Sequence, residues 1–68
     1  MLLIPKREDI KRIREDLGLS MNALSSKAEL SPPSIYRIES GITQRVNPHR
    51  AKAIAKALGC KISDIFEK

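Results

Sequence analysis

The apolar residues of this chain recur three and four positions apart in short runs, and glycine or proline separates one run from the next. This spacing places apolar side chains on one face of an α-helix, whereas a half-buried strand requires strict alternation, which is absent. Each run is shorter than the roughly 12–15 residues that an isolated helix needs in water, so the helices must share a core. The sequence therefore predicts an all-α fold, a compact bundle of five helices in one domain spanning residues 1–68.

Polar caps, prolines and glycines set the predicted helix ends. Ser20 and Asn47 are typical N-cap residues, and Pro48 suits a first helical position. Glycines follow the first, third and fourth runs, where they suit C-terminal stops. The predicted helices are Pro5 or Lys6 to Leu17, Met21 to Ala28, Pro33 to Ser40, Pro48 to about Leu58, and a short one containing Ile62, Ile65 and Phe66.

One face of each predicted helix should enter the shared core. The segment between Gly41 and Asn47 is too short and polar to predict a strand. The residues expected to be buried are Ile10, Ile13 and Leu17 on the first helix, Leu24 and Ala28 on the second, Ile35 and Ile38 on the third, and Ala51, Ile54, Ala55 and Leu58 on the fourth.

The adjacent prolines Pro32 and Pro33 precede the third run. Proline inside a helix costs about 3 kcal/mol, but in the first turn its missing N–H has no intrahelical partner to lose. Ser31 stands just ahead, where a capping hydroxyl is expected. Because the residue before a proline avoids helical angles, we predict Pro32 as the cap and Pro33 as the first helical residue.

The charge of the chain is concentrated in its middle. Residues 21–60 hold six basic and two acidic side chains, whereas residues 1–20 hold five and four. A basic segment favours a polyanionic partner, and nucleic acid fits better than a membrane because no long apolar helix face accompanies a lysine-rich one. A surface that is basic without a partner is the alternative.

Cys60 is the single cysteine, so no internal disulfide or cysteine metal site is expected. The opening residues Met1 to Ile4 are too short for a signal peptide or a membrane span. His49 has no cysteine, histidine or carboxylate at ligand spacing, and we expect no metal and no cofactor. These features predict a cytoplasmic protein.

Two short helices joined by a tight turn, at about residues 21–40, match the motif that places its second helix in the DNA major groove. At these residues the sequence resembles the Cro and lambda-repressor-like helix-turn-helix domains, also called the xenobiotic response element type. The resemblance covers about residues 8–67. It is carried by Ile10 to Arg14, Gly18 to Ser20, Leu24-Ser25, Ser34 to Gly41, Asn47-Pro48, Ala55 to Gly59 and Asp64 to Phe66.

The resemblance implies a structural ion pair between Arg14 and Glu39, which joins the first helix to the end of the recognition helix. Two positions depart from the family pattern. Met21 stands where relatives usually have glutamine, so it either covers the turn as an apolar residue or touches sugar or a thymine methyl. Glu29 stands where glycine is common, so the backbone of the turn is expected to differ from the usual one.

The candidate base contacts lie at the start and on the outer positions of the third helix. Pro32 and Pro33 cannot donate hydrogen bonds, so they either touch thymine methyls or only start the helix. Arg37 is the leading candidate, since arginine bonds guanine O6 and N7 together, although it also suits a phosphate. The full set is Pro32, Pro33, Ser34, Tyr36 and Arg37.

The resemblance places the loop after the third helix along the DNA backbone, where side chains and helix N-termini bind phosphate. His49 as an exposed residue and Lys27 as a helix C-terminal charge are the alternatives at those two positions. The candidate backbone contacts are Ser20, Met21, Asn22, Lys27, Ser31, Thr43, Gln44, Arg45, Asn47, His49 and Arg50.

The function expected is a sequence-specific transcriptional regulator, a repressor of phage or bacterial type that binds a palindromic operator in double-stranded DNA as a homodimer. Subunit contacts are expected either from Ile62, Ile65 and Phe66 or from Leu2, Leu3 and Ile4, unless these residues only close the core. An antitoxin-like module that binds a toxin and represses its own operon is the alternative. No enzyme is expected, because no nucleophile–base pair or glycine-rich phosphate loop is present.

Overall fold

The computed structural model describes residues 1–68 and contains the five predicted helices. Two short strands, which the sequence did not predict, flank them in the chain. In order, the elements are β1 (Ile4–Pro5), α1 (Arg7–Asp16), α2 (Met21–Lys27), α3 (Ser34–Ser40), α4 (Pro48–Leu58), α5 (Ile62–Ile65) and β2 (Phe66–Glu67).

The predicted caps fix the ends of α2 and α4. The Ser20 side chain accepts a hydrogen bond from the Ala23 N–H at 3.0 Å, and the Asn47 side chain accepts one from the Arg50 N–H at 2.8 Å. Gly59 ends α4 in the left-handed conformation, with φ of 70°. The predicted bounds of α4 are confirmed. The residues that begin and end this helix, Asn47, Pro48 and Gly59, all lie at its own two ends.

The buried face of α1 differs from the prediction. Ile10 is fully buried, but Ile13 is half-buried and Leu17 is 51% exposed at the end of the helix. Arg14 is buried instead, one helical turn after Ile10. The apolar spacing predicted the wrong buried face because Arg14 forms an ion pair that lies on the core side of the helix.

A two-stranded antiparallel sheet joins the two ends of the chain. Ile4 pairs with Glu67 and Pro5 with Phe66. Phe66 therefore lies in β2, and its predicted place in the fifth helix is wrong. Leu3 exchanges two backbone hydrogen bonds with Val46, at 2.7 and 2.8 Å. These pairings tie the N-terminal segment to the loop before α4 on one side and to β2 on the other.

A core of fourteen buried apolar residues runs from Leu3 to Phe66 and draws on every helix. The predicted stripe of α4 is confirmed, and α3 buries Ile35 and Ile38 as expected. Leu3, Ile65 and Phe66 close this core. No helix has both the length and the apolar character needed to cross a bilayer.

Candidate nucleic-acid interface

The start of α3 is a proline turn followed by the helix. Pro32 and Pro33 occupy a turn closed by a hydrogen bond of 3.0 Å from the Ser34 N–H to the Ser31 carbonyl. The helix therefore begins at Ser34, one residue after the predicted start, with Pro33 as its N-cap residue. The capping hydroxyl expected at Ser31 is not present, because this hydroxyl bonds the Ser34 hydroxyl at 2.9 Å.

A buried serine of α2 supplies the side-chain bond that the α3 N-terminus needs. Ser25 is fully buried, and its Oγ accepts a hydrogen bond of 3.3 Å from the Ile35 N–H. That N–H lies in the first turn of α3 and has no carbonyl partner within the helix. This role was not predicted, because a serine in the middle of α2 gives no signal in the sequence of the helix it will face.

The other end of α3 is held by α1. Arg14 donates from Nε to one oxygen of Glu39 at 2.7 Å and from Nη2 to the other at 2.9 Å. Its Nη1 donates to the Leu19 carbonyl at 2.7 Å. Both side chains are less than 10% exposed, at 9% and 8%. The hydrogen bond to Glu39 raises the pKa of Arg14, against the opposing effect of burial. The pair implied by the resemblance is thus present.

The outward face of α3 is open to solvent. Tyr36 is 52% exposed and Arg37 is also exposed, whereas Ile35 and Ile38 face the core. Both prolines at the start of the helix are exposed as well. Four of the five candidate base contacts are therefore accessible, and the fifth, Ser34, is half-buried.

A basic groove of about 330 Å³ lies where α3, the loop after it and α4 meet. Three arginines from these three elements line it, and no acidic residue does. None of the three forms an ion pair. We call this concavity the arginine groove. It brings together seven of the predicted contact residues, namely Ser31, Ser34, Arg37, Thr43, Arg45, Asn47 and Arg50.

Hydrogen bonds hold the loop that forms one wall of the arginine groove. The Thr43 N–H donates to the Arg37 carbonyl at 2.9 Å, and the Ser40 hydroxyl donates to the same carbonyl at 3.3 Å. Val46, at the far end of the loop, is paired with Leu3. The backbone of the loop between α3 and α4 is thus held by hydrogen bonds near both of its ends.

The remaining predicted contact residues do not line the arginine groove. Ser20 uses its side chain as the cap of α2, and Met21 is half-buried against the core, as expected of an apolar cover. Gln44 borders a second cavity. Asn22, Lys27 and His49 are exposed elsewhere on the surface. No group of three or more potential metal ligands is present.

The turn between α2 and α3 has the backbone that glycine would adopt. Glu29 has φ of 58°, in the left-handed region, so the expected departure from the usual turn is wrong. A residue with a Cβ is strained there by roughly 1–2 kcal/mol. The turn is nevertheless closed by the Leu30 N–H, which bonds the Ser25 carbonyl at 2.8 Å.

Solved structures share this fold. The restriction-modification controller protein C.AhdI from Aeromonas hydrophila is 21% identical over 85% of this chain and 86% of its own, with a TM-score of 0.78. The P22 c2 repressor, crystallised with a synthetic operator, is 28% identical over 85% and 86%, with a TM-score of 0.77. The clp gene regulator ClgR from C. glutamicum is 22% identical over 85% and 74%, with a TM-score of 0.72.

No curated protein sequence matches the chain. A family model described as helix-turn-helix does match it, over residues 10–65. That range begins with the buried Ile10 of α1 and ends with the buried Ile65 of α5, so it takes in all of α2, α3 and α4. The chain belongs to the helix-turn-helix family, of the Cro and lambda-repressor-like type.

Proposed function

We propose that this protein is a sequence-specific DNA-binding transcriptional regulator, a repressor that inserts α3 into the major groove of its operator. The arginine groove is the observation that carries the proposal, because three arginines that form no ion pair line it and no carboxylate does. The likeness to the P22 c2 repressor, solved with a synthetic operator, supports it. Such a groove matches the charge and the bidentate geometry of phosphates and guanine edges.

Within this proposal, α3 reads bases and the elements beside it hold phosphates. Arg37 bonds guanine O6 and N7, while Ser34 and Tyr36 make the neighbouring contacts. Pro32 and Pro33 form a rigid apolar tip without donors, which suits thymine methyl groups. Polar side chains around the groove and on the surface beyond it bind the DNA backbone: Ser20, Asn22, Lys27, Ser31, Thr43, Gln44, Arg45, Asn47, His49 and Arg50. Met21, which is apolar, touches the sugar.

We propose in addition that residues 1–68 act as one domain, and that two copies bind a palindromic operator whose half-sites lie about one helical turn apart. Of the residues predicted for subunit contact, Leu3, Ile65 and Phe66 are used in the core. Leu2 and Ile4 remain exposed, at 51% and 39%. They are the apolar residues of that set most available to a second copy.

Selection of bound duplexes from a random DNA pool, at two salt concentrations, tests the proposal. We expect a palindromic site, and an affinity that falls with salt at a slope of about −0.9 per phosphate neutralised. Arg37→Ala should lose about 1–3 kcal/mol of discrimination at one base pair. Lys56→Ala is the matched control, since Lys56 is exposed on α4 but lines neither the arginine groove nor the second cavity.

Two results would overturn the proposal. A binding constant that does not change with salt would show that phosphates do not contribute. Retention of the full sequence preference by Arg37→Ala, equal to that of Lys56→Ala, would show that α3 does not read bases through this arginine. A protein partner that copurifies with the chain and masks the arginine groove would favour the antitoxin alternative instead.

A further inference from the structure

A second basic cavity adjoins the arginine groove on the other side of the loop after α3. Its volume is about 430 Å³, and no acidic residue lines it. Thr43 and Arg45 line both concavities, so the loop is the wall between them. Strand β1 forms one side of the cavity, and its polar lining consists of Arg7, Ser40, Gly41, Thr43, Gln44 and Arg45.

Arg7 is the residue that distinguishes this cavity. It comes from α1, outside the helix-turn-helix, and the fold carries it to the C-terminal end of α3. There its guanidinium lies so close to Gly41 that a Cβ at that position would collide with it. Gly41 also has φ of 87°, and this left-handed stop of α3 is what requires glycine, since the end of the Arg7 side chain could shift.

The charge of Arg7 is not used within the protein. No hydrogen bond and no ion pair joins its guanidinium to another group. Glu8 and Glu39 line a separate concavity together with Arg7 and Lys11. Both oxygens of Glu39 are occupied by Arg14, and Glu8 lies more than the 4.0 Å ion-pair distance away. Arg7 is the first residue of α1, where its positive charge is repelled by the partial positive charge of the helix N-terminus.

We propose that Arg7 and Arg45 form a phosphate site that extends the DNA interface beyond the helix-turn-helix, and this rests on the proposed function. Two arginines line this cavity together with the hydroxyl-bearing Ser40 and Thr43 and the amide-bearing Gln44. Such a set of donors suits the oxygens of a phosphodiester. The backbone of a duplex that occupies the arginine groove passes the loop that both concavities share. A phosphate of that same duplex enters the second cavity.

The salt dependence of binding tests this site on the operator obtained by selection. Arg7→Gln should reduce the slope of log K against log salt by about 0.9, the value for one phosphate. If both proteins bind equally at 1 M salt, that change corresponds to about eightfold weaker binding at 0.1 M. Sequence preference should stay unchanged, because the contact carries no base information.

Two further variants separate this site from a general effect of charge. Lys11→Gln removes a cation one turn along α1, outside the cavity, and should leave the slope unchanged. Arg7→Lys keeps the charge and should retain most of the slope. Replacing single phosphates of the operator with neutral methylphosphonates should reveal one position whose effect is lost in Arg7→Gln.

Four outcomes would overturn the inference. An unchanged slope in Arg7→Gln, with Arg37→Ala still altering sequence preference, would reject the site and leave the proposed function standing. Equal losses in Arg7→Gln and Lys11→Gln would reject a specific site. Stabilisation of the free protein by inorganic pyrophosphate that depends on Arg7, without any change in DNA binding, would assign the cavity to a free anion. Absence of DNA binding by the unaltered protein would reject both proposals.

Discussion

Removing one partner of the buried ion pair between Arg14 and Glu39 should cost a large share of the stability of this chain. Replacing Glu39 with leucine leaves the Arg14 guanidinium in a site where it is 9% exposed, with the Leu19 carbonyl as its one remaining partner. Removing one member of a buried pair costs about 3–5 kcal/mol. At roughly 0.05–0.15 kcal/mol per residue, the unfolding free energy of a 68-residue chain is only about 3–10 kcal/mol.

A double-mutant cycle isolates the interaction. The variants are Arg14→Met, Glu39→Leu and the two together, and urea unfolding followed by circular dichroism gives each free energy. The double variant removes both charges and should recover much of the loss, since apolar replacements of buried pairs are often neutral. We therefore expect a coupling energy of at least about 2 kcal/mol.

The exposed pair of α1 provides the control cycle. Arg12 and Asp9 are 3.1 Å apart, but their side chains are 62% and 42% exposed, so their coupling should be below about 0.5 kcal/mol. If the Arg14–Glu39 coupling is no larger than that of this surface pair, burial does not strengthen the interaction. The reasoning that α3 is fixed through Arg14 would then be refuted.

Three further substitutions test local features by the same unfolding measurement, and thiol labelling of the unaltered protein tests a fourth. Ser25→Ala leaves the Ile35 N–H without its partner and should cost about 1–3 kcal/mol, whereas the exposed Ser26→Ala should cost less than about 0.5 kcal/mol; equal costs would reject the capping role. Glu29→Gly relieves the strain of a left-handed backbone but makes the unfolded chain more flexible, so the folded state should gain about 0.5 kcal/mol in net stability; a loss of stability would contradict this. Gly41→Ala should destabilise by at least about 1 kcal/mol, and an unchanged midpoint would reject the need for glycine. Burial and the nearby Asp64 raise the pKa of Cys60, so at pH 8 its thiol should react more slowly in the folded protein than in urea, and equal rates would contradict that.

The parts of the fold that the sequence predicted are those whose determinants are local. Asn47, Pro48 and Gly59 define α4 without reference to any other helix, and its bounds were right. The same holds for the Ser20 cap of α2. Capping preferences and helical periodicity act within one or two turns, so they can be seen in a single segment.

The parts that the sequence did not reveal depend on pairings across the chain. The partners in Pro5–Phe66 and Leu3–Val46 are far apart in sequence, and strands of two residues leave no alternating pattern to detect. The exposure of Leu17 was also missed, whereas the pairing of Arg14 with a carboxylate on another helix was expected only through the family resemblance. At the site, the chemistry of Arg37 and its neighbours was visible, but their convergence in one groove required the fold.

The way in which α3 is held explains how seven residues can serve as a recognition element. A helix of this length is unstable alone, yet its N-terminus is bonded to Ser25 and its C-terminus to Arg14 through Glu39. Pro32 and Pro33 further limit the backbone before it. Under the proposed function, its exposed residues therefore meet a duplex on a backbone that is already ordered, and little conformational entropy of the backbone is lost on binding. It follows that substitutions at Arg37 should change affinity without changing stability, whereas Ser25→Ala should weaken both, because it loosens the helix that presents Arg37.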